Sequence, residues 1–98
     1  MGLPLPAEST AMLTFEDCLA LSTLTEAEIL AVAEHENLPE TTALELGNYL
    51  MQTPGGDLRI KQIIVDDIDH ATRGGNHRRS AELKHVLRQF CEQHNLPE

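Results

Sequence analysis

Two acid-x-x-His pairs, Asp67-Ile68-Asp69-His70 and Glu82-Leu83-Lys84-His85, are the residues of this 98-residue chain best suited to hold a metal. A carboxylate and an imidazole three positions apart share a helix face. Di-iron bundles use such pairs from two helices, with one Glu from each of two others. Helical geometry, at about 100° per residue, argues against convergence here. Asp67 falls near the middle of an apolar stripe and His70 near its edge, while Glu82 and His85 point away from the stripe holding Leu83 and Phe90. The expected reading is therefore solvated polar faces, with no metal and no cofactor. Asp67 itself still requires an account. A carboxylate centred on an apolar stripe is costly unless paired or hydrogen-bonded. The expectation is an arginine or a helix amino terminus as its partner. The alternative is an acid of raised pKa, for which no co-catalyst is evident.

A second candidate is basic. Between His70 and Cys91 lie Arg73, Arg78, Arg79, Lys84 and Arg88 against Glu82 alone, with His70, His77 and His85 adding protonatable charge. The loop Arg73-Gly74-Gly75-Asn76 leads into a helix start. Free amides there, with Arg73, His77, Arg78 and Arg79, suit a phosphate, a carboxylate or RNA. The spacing is not that of a P-loop, and Gly-Gly-Asn reads equally as a helix cap and turn. Pairing of this basic helix with acids elsewhere, within the chain or across a dimer, is the leading expectation.

Those acids are concentrated upstream. Residues 1–58 carry ten acidic groups and neither lysine nor arginine, a formal charge of about −10. The remaining residues carry seven basic and six acidic groups, about +1, which together gives the net −9. Glu34, Glu36, Glu40 and Glu45 are the candidate surface for a basic protein partner or for the basic hairpin of a second subunit. Complementary charge would set orientation and on-rate, with apolar anchors supplying affinity.

Other functional classes find less support. Val32-Ala33, Asn37-Leu38, Ala43 and Leu46 match several spacings of a helix-turn-helix. Its second helix would show Glu40, Thr41, Thr42 and Glu45 to DNA, with no cation to meet phosphates. There is no Gly-x-Ser-x-Gly, no Cys-x-x-Cys and no dinucleotide fingerprint, so the reading leans away from an enzyme. Apolar runs such as Cys18-Leu19-Ala20-Leu21 are far shorter than the roughly 20 residues of a membrane span. The start Met-Gly-Leu-Pro-Leu-Pro-Ala-Glu lacks the basic region of a secretory signal and the Ser/Thr of a myristoylation site. Cys18 and Cys91 lie far apart in apolar stretches and are expected as free, buried thiols in a reducing cytosol.

The elements that must position these residues are helical. Aromatics are scarce, with Phe15, Tyr49 and Phe90 and no Trp, so the core must be Leu, Ile, Val and Ala. Residues 1–12, with two prolines, are expected to form a flexible arm, and 13–98 a single helical domain. Thr14 and Thr25 each precede an acid by three residues, Asp17 and Glu28, which is the capping-box pattern. Leu24 and Ile29 would flank the second cap as a hydrophobic staple. Asn-Leu-Pro-Glu occurs at 37–40 and again at 95–98, and each copy reads as a helix stop. Further breaks at Pro54-Gly55-Gly56-Asp57 and Arg73-Gly74-Gly75-Asn76 leave helices over about 15–22, 26–37, 40–52, 58–73 and 77–94. Ile60, Ile63, Ile64, Ile68 and Ala71 form one stripe, and Leu83, Val86, Leu87, Phe90 and His94 another. The expected architecture is all-α, a small bundle of about five helices ending in a long antiparallel αα-hairpin.

The segments Glu16-Asp17-Cys18-Leu19-Ala20-Leu21, Leu24-Thr25-Glu26, Ala33-Glu34-His35-Glu36-Asn37-Leu38-Pro39-Glu40 and Leu46-Gly47-Asn48-Tyr49-Leu50 resemble a family of short all-helical bacterial proteins. The resemblance implies a bacterial cytoplasmic origin and assigns no activity or site. The functional expectation is a small interaction or regulatory module, with anion or RNA binding through the Arg73–Arg79 segment as its rival.

Overall fold

The computed structural model describes residues 14–98, so the expected arm at 1–12 lies outside the described residues. Five helices follow one another: α1 (Phe15–Ala20), α2 (Glu26–Glu36), α3 (Glu40–Met51), α4 (Gly56–Arg73) and α5 (His77–Gln93). No strand occurs among the described residues. The protein is an all-α bundle, and none of its described helices is long and apolar enough to cross a membrane.

Both capping boxes form. Thr14 Oγ1 accepts from the Asp17 amide at 3.1 Å, and Asp17 Oδ2 accepts from the Thr14 amide at 3.2 Å. Thr25 and Glu28 repeat the arrangement at 3.2 and 2.9 Å. Each box satisfies amide donors that a helix start otherwise leaves open. The short α1 ends at Ala20 rather than near 22. Leu21 and Ser22 bond back to Cys18 and Leu19 in tight turns. Ser22 Oγ then accepts from the Leu24 amide at 3.0 Å and donates to Asn48 Oδ1 at 2.6 Å, turning the chain toward α2.

The two Asn-Leu-Pro-Glu copies adopt the same stop. Asn37 and Asn95 both sit at φ 56°, in the left-handed region that asparagine tolerates. The next amide closes the turn in each case, Leu38 to the Ala33 carbonyl at 2.9 Å and Leu96 to the Cys91 carbonyl at 2.8 Å. Pro39 caps α3 from just outside it. Helix α4 starts two residues earlier than expected. Gly56 is buried against the Leu50 carbonyl, where a Cβ would overlap it, so the helix opens on that glycine.

Helices α4 and α5 form the antiparallel hairpin around Gly74–Asn76. Thr72 Oγ1 and Ser80 Oγ meet at 2.9 Å beside the loop, and Lys61 Nζ donates to the Pro97 carbonyl at the far end. Ile60, Ile63 and Ile64 face Leu83, Val86 and Phe90, with Ile29, Ala31 and Val32 of α2 and Ala43 and Leu44 of α3 closing the core. Each large member contributes roughly 1.5–3 kcal/mol by leaving water. Ile68, Leu87 and His94 finish only half-buried at the stripe margins. The staple pair converges on Gly47 of α3, where a Cβ would lie 2.6 Å from Leu24 Cδ1 and 3.3 Å from Ile29 Cδ1. α2 and α3 thus cross closely at the start of α2. Both cysteines are free, but Cys18 is only half-buried while Cys91 is fully enclosed. α1 has no fully buried residue and lies on the outside of the core.

Candidate functional site

The end of α2, the last turns of α4 and the start of α5 enclose an open cleft of about 430 Å³. Glu34, Asp67, His70, Asn76 and Arg79 supply its polar walls, and Ala71 and Leu83 its apolar ones. A neighbouring cleft of about 300 Å³ shares Glu34, Asp67 and His70 and adds His35 and Asp66. Asp67 therefore stands where the two openings adjoin.

Local chemistry places each group. Asn76 caps α5, its Oδ1 accepting from the Arg79 amide at 3.1 Å. Arg79, in that first turn, reaches across to α2. Its Nη2 lies 2.6 Å from Glu34 Oε1, and its Nη1 lies 3.4 Å from Glu82 Oε1. Burial works against the guanidinium charge, but Glu34 and then Glu82 hold its pKa above the ordinary value. His35 bridges two acids, with Nδ1 2.8 Å from Glu36 Oε2 and Nε2 3.3 Å from Asp66 Oδ2. Partial burial again opposes the charge, yet those two contacts raise the imidazole pKa. Asp66 is held low by the Gln62 amide at 2.8 Å and by His35.

Asp67 differs from all of these. It is half-buried, and Oδ2 is out of water with no hydrogen-bond partner among the described residues. Burial pushes its carboxyl up to about 6. His35 and Arg79 work against that rise, and Glu34 and Asp66 add to it. The expected arginine or helix-terminus partner is thus absent among the described residues. The one arginine in the cleft is already committed to Glu34 and Glu82, and the start of α5 is capped by Asn76.

The candidate acids divide. Glu34 is paired with Arg79, and Glu36 faces His35 and, at 3.9 Å, Arg59. Glu40 and Glu45 are exposed and have no ion pair among the described residues. The basic candidates do not converge either. Arg73 turns to Asp69 at 3.2 Å and Arg78 to Glu82 at 3.7 Å, with side chains 80% and 92% exposed. Such surface pairs contribute about 0–1 kcal/mol. His77 is exposed, and only Arg79 enters the cleft. The two acid-x-x-His pairs stay apart: His70 lines the cleft with Asp67, while Glu82 serves Arg78 and Arg79. No group of three or more metal-ligating side chains assembles among the described residues.

A second polar pair lies at the opposite end of α2. Glu28 is fully buried, with Oε1 accepting from the Thr25 amide and Oε2 unpartnered among the described residues. His94 packs against Phe90 as a tilted ring pair with centroids 4.4 Å apart, and its Nε2 is likewise buried and unpartnered among the described residues. Burial raises the Glu28 pKa, and the Thr25 bond and the nearby His94 temper the rise. Periodicity placed His94 on the apolar stripe. Nothing in the capping-box pattern showed that Glu28 would be enclosed, because burial depends on α3 and α5 crossing that helix start. No family model, curated protein or solved structure matches the chain.

Proposed function

We propose that the protein is a small cytoplasmic interaction or regulatory module that receives a basic protein segment, from another protein or a second subunit, on the exposed acids of α3, Glu40 at its start and Glu45 on its outer side. The observation that carries this reading is the division among the acids. Glu34 and Glu36 are engaged within the chain, whereas Glu40 and Glu45 remain exposed and free of ion pairs among the described residues. Tyr49 follows Glu45 by one helical turn and is 65% exposed. An exposed aromatic one turn from the unpaired Glu45 supplies the anchor that charge alone lacks. The free Cys18 and Cys91 suit a reducing compartment, and the resemblance to short bacterial helical proteins would make it a bacterial cytoplasm. Affinity capture from the native cell, at low and high salt, tests the reading with a Glu40→Lys/Glu45→Lys variant alongside. Binding should weaken with salt and be lost in the variant. A partner held equally by both chains at both salts overturns it.

The rival reading is anion or RNA binding by Arg73, His77, Arg78 and Arg79. The high exposure of Arg73 and Arg78 favours it, because their weak pairs cost little to break. Titration with RNA and inorganic phosphate at low salt should then show binding that flattens in salt dependence on Arg73→Ala/Arg78→Ala substitution. No binding at low salt removes this reading.

A further inference from the structure

The Asp67 cleft holds more carboxylate than its one guanidinium can serve. Facing Asp67 are Glu34 and His35 from α2, Asp66 and His70 from α4 itself, and Arg79 from α5, with Glu82 behind Arg79. His35 has both ring nitrogens against Glu36 and Asp66, so it cannot turn to Asp67 without leaving one of them. His70 lies three residues along the same helix and is exposed. Arg79 is the cation with donors to redistribute, since its planar fork presents five N–H groups.

We propose that Glu34 and Asp67 compete for Arg79: the guanidinium rests on Glu34 while Asp67 carries its proton, and shifts toward Asp67 when that carboxyl ionises, releasing Glu34 to solvent. The asymmetry of the two acids drives the exchange. The Glu34 side chain is 58% exposed, so water replaces the arginine at small cost. The Asp67 Oδ2 is shut off from water and has no hydrogen-bond partner among the described residues, so its charge gains most from the arginine. The released Glu34 adds a carboxylate to the surface at the end of α2. The exchange is independent of any partner on α3.

A double-mutant cycle on the full chain tests it. The folding equilibria of the native protein, Glu34→Gln, Arg79→Gln and the double variant are measured at about pH 5 and about pH 7.5. The Glu34–Arg79 coupling should be roughly two- to five-fold in the folding constant at the lower pH and fall toward one at the higher. In an Asp67→Asn background, where His35 still titrates, it should be the same at both. An equal coupling at both pH values in the native protein, or an equal fall in the Asp67→Asn background, overturns the exchange. The carbon-13 shift of the Asp67 carboxyl gives a separate reading. Its titration midpoint should rise in Arg79→Gln and fall in Glu34→Gln, and a midpoint unmoved by Arg79→Gln also overturns it.

Discussion

The two ends of α2 treat a buried carboxyl in different ways. At its start, Glu28 is fully enclosed with Oε2 unpartnered among the described residues, yet its Oε1 has a fixed task on the Thr25 amide. At its end, Asp67 of α4 is only half-buried, but its Oδ2 has no hydrogen-bond partner among the described residues. The first end is closed by packing, with Leu24 and Ile29 pressed against Gly47. The second is open, a cleft whose one arginine is held by two other acids. A buried acid explained by its local helix start is part of the scaffold. One left over by every local interaction is where chemistry or regulation has room to act.

Packing substitutions should separate the ends most strongly. Ile29→Ala, at the closed end, should cost about 2–5 kcal/mol in denaturant melts, as buried large-to-small changes do. Glu34→Ala, at the open end, should stay below about 1 kcal/mol. Similar losses at the two positions would break the contrast.

Removing the Asp67 charge should act the other way. Its folded pKa of about 6 lies above the ordinary 3.8, so the folded state holds the proton more tightly than the unfolded chain. The stability that Asp67 contributes therefore falls as pH rises from about 4 through about 6 and levels off above that. Asp67→Asn should raise stability at pH 7.5 by about 1–2 kcal/mol, after a discount for partial exposure, and leave it little changed at pH 4. Glu28, also raised, supplies a slope that persists in this variant. Melts across that range check the difference.

The two caps give a finer comparison. Thr25→Ala removes a box whose acid is enclosed, and should cost about 1–2 kcal/mol. Thr14→Ala removes one whose acid is exposed, on a short helix, and should cost about 0.5 kcal/mol. Equal costs would show that burial of the capping acid adds nothing. The smallest effect belongs to His35. Its raised pKa contributes stability that is complete below about 6.5 and lost as pH rises through the folded value. His35→Gln should remove the slope above pH 6.5, worth under about 0.5 kcal/mol, and spare the slope below pH 6.

Much of the fold was legible because its signals are local. Thr14, Thr25, Asn37 and Asn95 act within four or five residues of themselves, so their spacing is enough to start or stop a helix. Where α1 and α4 departed from expectation, the cause was a contact from elsewhere, Ser22 on Asn48 and Gly56 against Leu50. The site was legible only in part. Asp67 stood out because a charge in an apolar stripe is visible in periodicity. Its surroundings did not, since Arg79 lies 45 residues from Glu34 and Asp66 lies 31 from His35.

The amino-acid order alone therefore determined the five helices, the caps at Thr14, Thr25, Asn37 and Asn95, the hairpin and the uneven charge, because hydrogen bonds and periodicity near each residue decide these. Only the tertiary structure decided how that charge is used. It spends Arg79 on Glu34 and Glu82, leaves Glu40 and Glu45 outside, and leaves Asp67 unserved. Electrostatic pairing follows distance and burial in the folded state, and neither follows from spacing along the chain.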